Sequence, residues 1–181
     1  MQYGRELVQI LAEPCRDPSL MVRKQMVSSL TELVRTYPDN QVCIDNWVDG
    51  VFPLILDVEQ KAAEKVLENV WELLFSNLVE FSECRQRKHF LPWKILEATE
   101  RLKMTKYLSR ACGSWAKEGL IKPEVLSVLR SHVHSGDNSN YAWLLLGLLS
   151  GHVALDDPRF VQVRFFFTYS SGLVTNSILF C

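Results

Sequence analysis

Apolar side chains recur every three or four residues in the segment that runs from residue 16 to Tyr37. This spacing predicts an amphipathic helix, because such positions fall on one helical face. Asp17 and Pro18 predict where the helix begins, since the carboxylate can accept from the free amides of the first turn and proline suits that turn. Polar residues such as Arg23 fall largely outside the apolar stripe. The stripe consists of Val22, Met26, Leu30, Leu33 and Val34.

The same pattern returns 40 residues later in the chain. Asp57 repeats Asp17, and each aspartate follows a shorter apolar helix, the first ending near Pro14 and the second marked from Ile44 to Ile55. A helix pair cannot bury both of its faces alone, so such pairs stack and share a continuous core. The period and the pairing predict an all-α fold, a HEAT-repeat α-solenoid of stacked antiparallel helix pairs. The repeated apolar positions are Val22 with Ala62, Met26 with Val66, Leu30 with Val70, and Leu33 with Leu73.

The predicted solenoid covers residues 1–164, because helical patterns continue as far as the apolar run "YAWLLLGLLSGHV". The chain opens within a helix and without a polar capping repeat, so we expect a solenoid that is truncated at both ends. Residues 165–181 contain no charged side chain and no helical stripe. They are predicted to be a divergent, disordered tail.

Composition narrows the classes of function. A chain of 181 residues with 48% hydrophobic residues can bury a core without disulfides or metals. The five cysteines are scattered without paired spacing, which favours reduced thiols. His132 and His134 lie two residues apart and diverge on a helix, so they do not predict a metal site. Without a phosphate loop, a nucleophile motif or a membrane-spanning apolar run, we expect no catalytic residue, cofactor, metal, small-molecule ligand or membrane contact.

The segment from residue 82 to 130 is locally basic, with eleven Lys or Arg against five Asp or Glu. Its sharpest cluster, "CRQRKHFLPWK" at residues 84–94, is interpreted as a basic loop with Phe90 and Trp93 interleaved. One interpretation is a contact with the DNA backbone or an acidic partner. The other is a solvated loop between repeats, with both aromatic residues packed inward. The candidate contact residues are Arg85, Arg87, Lys88, Lys94, Lys103, Lys106 and Arg110.

The stretches "DPSLMVRKQMVSSLTELVRTYPDN" and "WVDGVFPLILDVEQKAAEKVLENVWELLFSNL" resemble the HEAT-repeat segment of the D-type regulatory subunits of condensin II. The resemblance extends to about residue 160. It implies a polar ladder between repeats, in which Asp17 and Arg23 match the aspartate of the turn and the arginine of the following helix. Asp57 is kept in the second repeat, but Ala63 stands where the arginine would be, which argues against the ladder at this junction.

The resemblance implies a non-catalytic scaffold in the nucleus, on chromosomes, that acts in mitotic chromosome condensation. Its expected partners are the kleisin and SMC subunits of condensin II, with duplex DNA or chromatin as a further candidate. The alternatives are another HEAT-type adaptor, such as a transport or phosphatase scaffold, and a helical enzyme domain.

Overall fold

The computed structural model describes residues 13–133 and 138–154, and within them it contains seven α-helices, three short 3-10 helices and no strand. The all-α prediction is therefore confirmed for this part of the chain. Residues 1–12, which hold most of the predicted helix that ends near Pro14, lie outside the described residues, as do His134 and the tail at 165–181. The α-helices are α1 (Leu20–Thr36), α2 (Gln41–Val51), α3 (Gln60–Phe75), α4 (Arg87–Arg101), α5 (Thr105–Lys117), α6 (Pro123–Val133) and α7 (Ser139–Ser150); the 3-10 helices are Glu13–Arg16, Phe52–Leu56 and Phe81–Glu83.

The helices pack in two layers. In one layer α1 contacts α3, α3 contacts α5 through aromatic rings, and α5 contacts α7. In the other layer α2 contacts α4, and α4 reaches α6 through Trp93 and His132. The core runs between the layers, where Trp47, Phe52 and Trp115 are almost completely buried. Each helix thus packs on the next but one along the chain.

The 40-residue repeat of the sequence has a structural counterpart at the starts of α1 and α3. Asp17 Oδ1 accepts from the Ser19 amide at 2.7 Å, and Asp57 Oδ1 accepts from the Glu59 amide at 2.8 Å. The prediction that Pro18 lies in the first helical turn is wrong, because α1 begins at Leu20 after an N-cap at Ser19. Each aspartate instead accepts a hydrogen bond from the backbone amide two residues later, which forms the local turn that Asx side chains commonly make.

The buried face of α1 is rotated from the predicted stripe. Arg23, Val27 and Thr31 are buried with Leu30 and Val34, whereas Val22, Met26 and Leu33 are only half-buried. Thr31 is accommodated because its hydroxyl donates to the Val27 carbonyl at 2.7 Å and accepts from Trp47 Nε1 at 3.0 Å. Polar side chains occupy this face because each of them has a specific partner.

Arg23 connects the two equivalent turns. Its Nη1 donates to the carbonyls of Asp17 and Pro18, each at 2.9 Å. Its Nε lies 2.8 Å from Asp57 Oδ2, and its Nη2 donates to Asp57 Oδ1 at 3.1 Å. The two side chains are only 10% and 6% exposed. Ala63 does not interrupt this pair, contrary to the expectation from sequence, because the arginine comes from the first repeat.

The junction between α3 and α5 is built from aromatic rings. Trp71 and Phe75 of α3 pack on Trp115 of α5 with centroid separations of 5.4 and 5.6 Å. Trp115 Nε1 also donates to the Leu67 carbonyl at 3.3 Å. Ala63 lies one helical turn before Leu67 on α3, and the junction is held by ring packing and this hydrogen bond.

We predict that Arg23→Ala lowers the free energy of unfolding by about 3 kcal/mol, because it leaves the buried Asp57 carboxylate without its partner. Urea denaturation followed by circular dichroism measures the change. The matched control is Arg16→Ala, which removes an exposed pair with Asp49 at 3.7 Å and is expected to cost less than about 1 kcal/mol. Equal losses in the two variants would contradict a structural role for the buried pair.

Candidate nucleic-acid interface

The basic cluster at residues 84–94 is mostly helical. The prediction of a loop is wrong beyond Gln86, because α4 begins at Arg87. Pro92 lies at the sixth helical position, where it lacks the amide that would bond to the carbonyl of Lys88 in the exposed first turn. Of the two aromatic residues, Trp93 packs inward at 2% exposure, whereas Phe90 remains 39% exposed.

The first turn of α4 concentrates positive charge. Arg87 and Lys88 lie in that turn, Arg85 lies just before it, all three are exposed, and the turn contains no acidic residue. The N-terminal end of a helix carries a partial positive charge of its own, which disfavours cations and favours anions. The local potential at this end of α4 therefore favours a negatively charged ligand.

Asp39, in the turn between α1 and α2, neutralises part of this charge. Lys94 Nζ donates to Asp39 Oδ1 at 2.6 Å, and Arg87 Nε lies 3.5 Å from Asp39 Oδ2. The hydrogen bond from Lys94 is the main reason why the pKa of Asp39 lies below its ordinary value. Within the described part of the chain, Arg85 and Lys88 have no such carboxylate partner.

The seven candidate residues form two groups rather than one patch. Lys103, Lys106 and Arg110 lie at the far end of α4 and along α5, and all three are exposed. A helix of 15 residues is about 22 Å long, so α4 holds this group well away from Arg87 and Lys88. Lys106 and Arg110 are one turn apart on α5, with Lys106 Nζ 4.7 Å from the centroid of the Tyr107 ring.

A depression of about 740 Å³ lies between the first turn of α4 and the turn after α1. Tyr37 lies in its lining with 54% of its surface exposed. Arg87 and Lys88 lie across from it on α4. The depression therefore combines an accessible aromatic ring with positive charge. Its lining residues are Arg35, Thr36, Tyr37, Pro38, Asp39, Asn40, Gln86, Arg87 and Lys88.

The described residues contain no group of three His, Cys, Asp or Glu side chains placed to hold a metal ion. His132 is buried, with Nε2 2.8 Å from the carbonyl of Val79. Burial raises the pKa of Cys15 to about 11 and that of Cys112 to about 12, so both thiols stay protonated near neutral pH. None of the helices in residues 13–133 and 138–154 has the length and hydropathy needed to cross a bilayer.

Two curated proteins are related to this chain. The condensin-2 complex subunit D3-L of Xenopus laevis is 30% identical over 145 residues, which cover 78% of this chain and 10% of that protein. The condensin-2 complex subunit D3 of Mus musculus is 32% identical over 145 residues, with the same coverage of 78% and 10%. The chain is related to condensin-2 D3 subunits.

The resemblance to condensin II D-type subunits is thus confirmed. The chain spans about a tenth of the length of the D3 subunits that it matches. No protein-family model and no solved structure matches it.

Two residues of the candidate interface could not be identified from the sequence of this chain. Tyr37 and Asp39 are not among the predicted contact residues, yet both face the start of α4, about 50 residues further along the chain. Nothing local in the sequence reveals that the turn after α1 meets the basic cluster.

We predict that Lys94→Met raises the pKa of Asp39 toward the ordinary value of an aspartate, because it removes the hydrogen bond that stabilises the carboxylate. Titration of the Asp39 carboxyl carbon by NMR measures the shift. Arg87→Met should raise the pKa less, since its Nε lies 3.5 Å away. Because the pKa is lower in the folded chain, Asp39 stabilises the fold above the pKa of an unfolded aspartate, and this contribution is lost as the pH falls through the folded value. An unchanged pKa in Lys94→Met would contradict the assignment.

Proposed function

We propose that this chain is a non-catalytic scaffold segment of a condensin II regulatory subunit, built as a HEAT-repeat solenoid and acting on chromosomes in the nucleus. The similarity to the D3 subunits over 78% of the chain is the observation that carries the proposal. The two helix layers and the equivalent turns at Asp17 and Asp57 support the solenoid architecture. The same similarity favours condensin over a transport or phosphatase scaffold and over a helical enzyme domain.

In this proposal the packed helices keep the exposed helix faces and turns in fixed relative positions, so that partners can bind to them. The buried pair of Arg23 and Asp57 fixes α1 against α3, and the rings around Trp115 fix α3 against α5. The exposed faces of the helices and the turns between them are then available to partners. The proposed protein partners are the kleisin and SMC subunits of condensin II, and the proposed outcome is mitotic chromosome condensation.

We expect the 181-residue chain to co-elute with the condensin II kleisin subunit in size-exclusion chromatography after co-expression. Stacked helices offer a large preformed surface, so binding needs no reordering of the chain. The same chain with Arg23→Ala is the control that tests whether kleisin binding depends on the packing of the helices. Circular dichroism reports whether each sample is folded. Separate elution of a folded chain and the kleisin would contradict a direct contact between them.

The proposed nucleic-acid contact is electrostatic. Arg85 and Lys88 project from the start of α4 without carboxylate partners among the described residues, and Arg87 and Lys94 share Asp39 between them. Cations of this kind bind the phosphate backbone without regard to base sequence. Lys103, Lys106 and Arg110 form a second proposed contact at the opposite end of α4.

We predict that reversing the charge of Arg85, Arg87 and Lys88 to glutamate weakens binding to a 20-base-pair duplex at least about tenfold, because phosphate contacts become repulsive. Fluorescence anisotropy at several salt concentrations measures the affinity, which should fall as salt rises. The matched control reverses Lys24, Lys61 and Lys122, which gives the same net charge at other sites.

A third variant, in which the charges of Lys103, Lys106 and Arg110 are reversed, distinguishes the contributions of the two basic groups to DNA binding. Loss of binding in this variant alone would assign the contact to α5 rather than α4. Equal losses in the first variant and in the matched control would show that only net charge matters and would contradict a specific basic surface. Binding that does not depend on salt would contradict the electrostatic contact altogether.

A further inference from the structure

Tyr37 is an exposed aromatic residue at a fixed point of the backbone. It caps the C-terminal end of α1, and its backbone amide donates to the Leu33 carbonyl at 2.9 Å. Pro38 follows directly and restricts the backbone of the turn. The ring is nevertheless 54% exposed. An aromatic face that is accessible, anchored by the main chain and beside positive charge is a surface on which a nucleobase can stack.

The depression around Tyr37 supplies the other groups that a nucleotide requires. Its volume is about 740 Å³ and it is open to solvent, so it can admit one base of a longer strand. Lys88 in its lining and Arg85 just before α4 provide cations for a phosphate. Gln86 lies in the same lining and carries an amide that can donate to, or accept from, a base edge.

Asp39, the acidic residue in the lining, is paired with cations other than Lys88 and Arg85. Asp39 is engaged by Lys94 and Arg87, so its carboxylate is already neutralised from within the chain. Arg35 is similarly engaged, by Glu32 and Glu72. The cations that remain without a carboxylate partner in the described part of the chain are those at the start of α4, on the side of the depression opposite Tyr37.

The bases of duplex DNA cannot stack on the ring of Tyr37. They are stacked inside the helix and expose only their edges in the grooves. A duplex can therefore contact the cations at the start of α4 but cannot stack on Tyr37. An unpaired base can do both at once.

We propose that this depression binds an unpaired nucleotide, with the base stacked on Tyr37 and the phosphate held by Lys88 and Arg85. The surface then binds single-stranded DNA more tightly than duplex DNA of the same length. This inference rests on the proposed nucleic-acid contact and specifies the form of nucleic acid that the contact selects.

The test compares a fluorescein-labelled dT20 oligonucleotide with a 20-base-pair duplex, using the 181-residue chain and fluorescence anisotropy at one salt concentration. We expect tighter binding to dT20. Tyr37→Ala should weaken binding to dT20 about tenfold and change binding to the duplex by less than about twofold, since stacking contributes only to the unpaired base. Tyr37→Trp should restore binding to dT20, and its fluorescence should be quenched by dT20 more than that of the wild type.

The control variant is Val58→Ala, which shortens an apolar side chain that is 96% exposed at a different surface. It should bind both probes like the wild type, and thermal melting by circular dichroism should show that every variant is folded. Equal affinities of the wild type for the two probes, or equal effects of Tyr37→Ala on both, would overturn the inference. If charge reversal at Arg85, Arg87 and Lys88 weakens duplex binding while Tyr37→Ala changes nothing, the proposed contact stands and the unpaired-base site does not.

Discussion

The contact between Arg23 and Asp57 determines how the first two repeats lie against each other. The guanidinium is tied to the carbonyls of its own turn, and it reaches the carboxylate in the equivalent turn of the next repeat. Both side chains are nearly buried, so a shift of either helix by one turn would leave two charges unpaired in apolar surroundings. Apolar side chains tolerate many relative positions of two helices, whereas this pair tolerates one. We interpret the hydrophobic area as the source of stability and the pair as the source of register.

The relative position of α3 and α5 is also restricted, here by aromatic packing rather than by an ion pair. Trp71 and Phe75 each meet Trp115 edge to face, and the indole N–H of Trp115 donates to the carbonyl of Leu67. Aromatic rings prefer specific offsets because of their charge distribution, so they too restrict how two helices meet. With alanine rather than arginine at position 63, ring packing holds α3 against α5, and the layered arrangement continues.

Features that depend on neighbours along the chain could be predicted from the sequence, and features that depend on distant partners could not. The helices around Leu30 and Val70 and the matching turns at Asp17 and Asp57 follow from local spacing. The burial of Arg23 does not, because a charged residue joins the core only when a partner 34 positions away satisfies it. The basic residues between positions 82 and 130 were identified from composition, but their division into two groups follows from the length of α4, which was predicted as a loop at its start.

Asp39 gives the proposed contact one further property. Duplex DNA carries condensed cations, and these are released when lysine and arginine side chains neutralise its phosphates. Lys94 and Arg87 are already paired with a carboxylate of the chain, so they neutralise the phosphates less completely and release fewer of these cations. The number of ions released on binding would therefore be smaller than the number of basic residues at the start of α4. A count of lysines and arginines in the sequence overestimates how strongly this surface responds to salt.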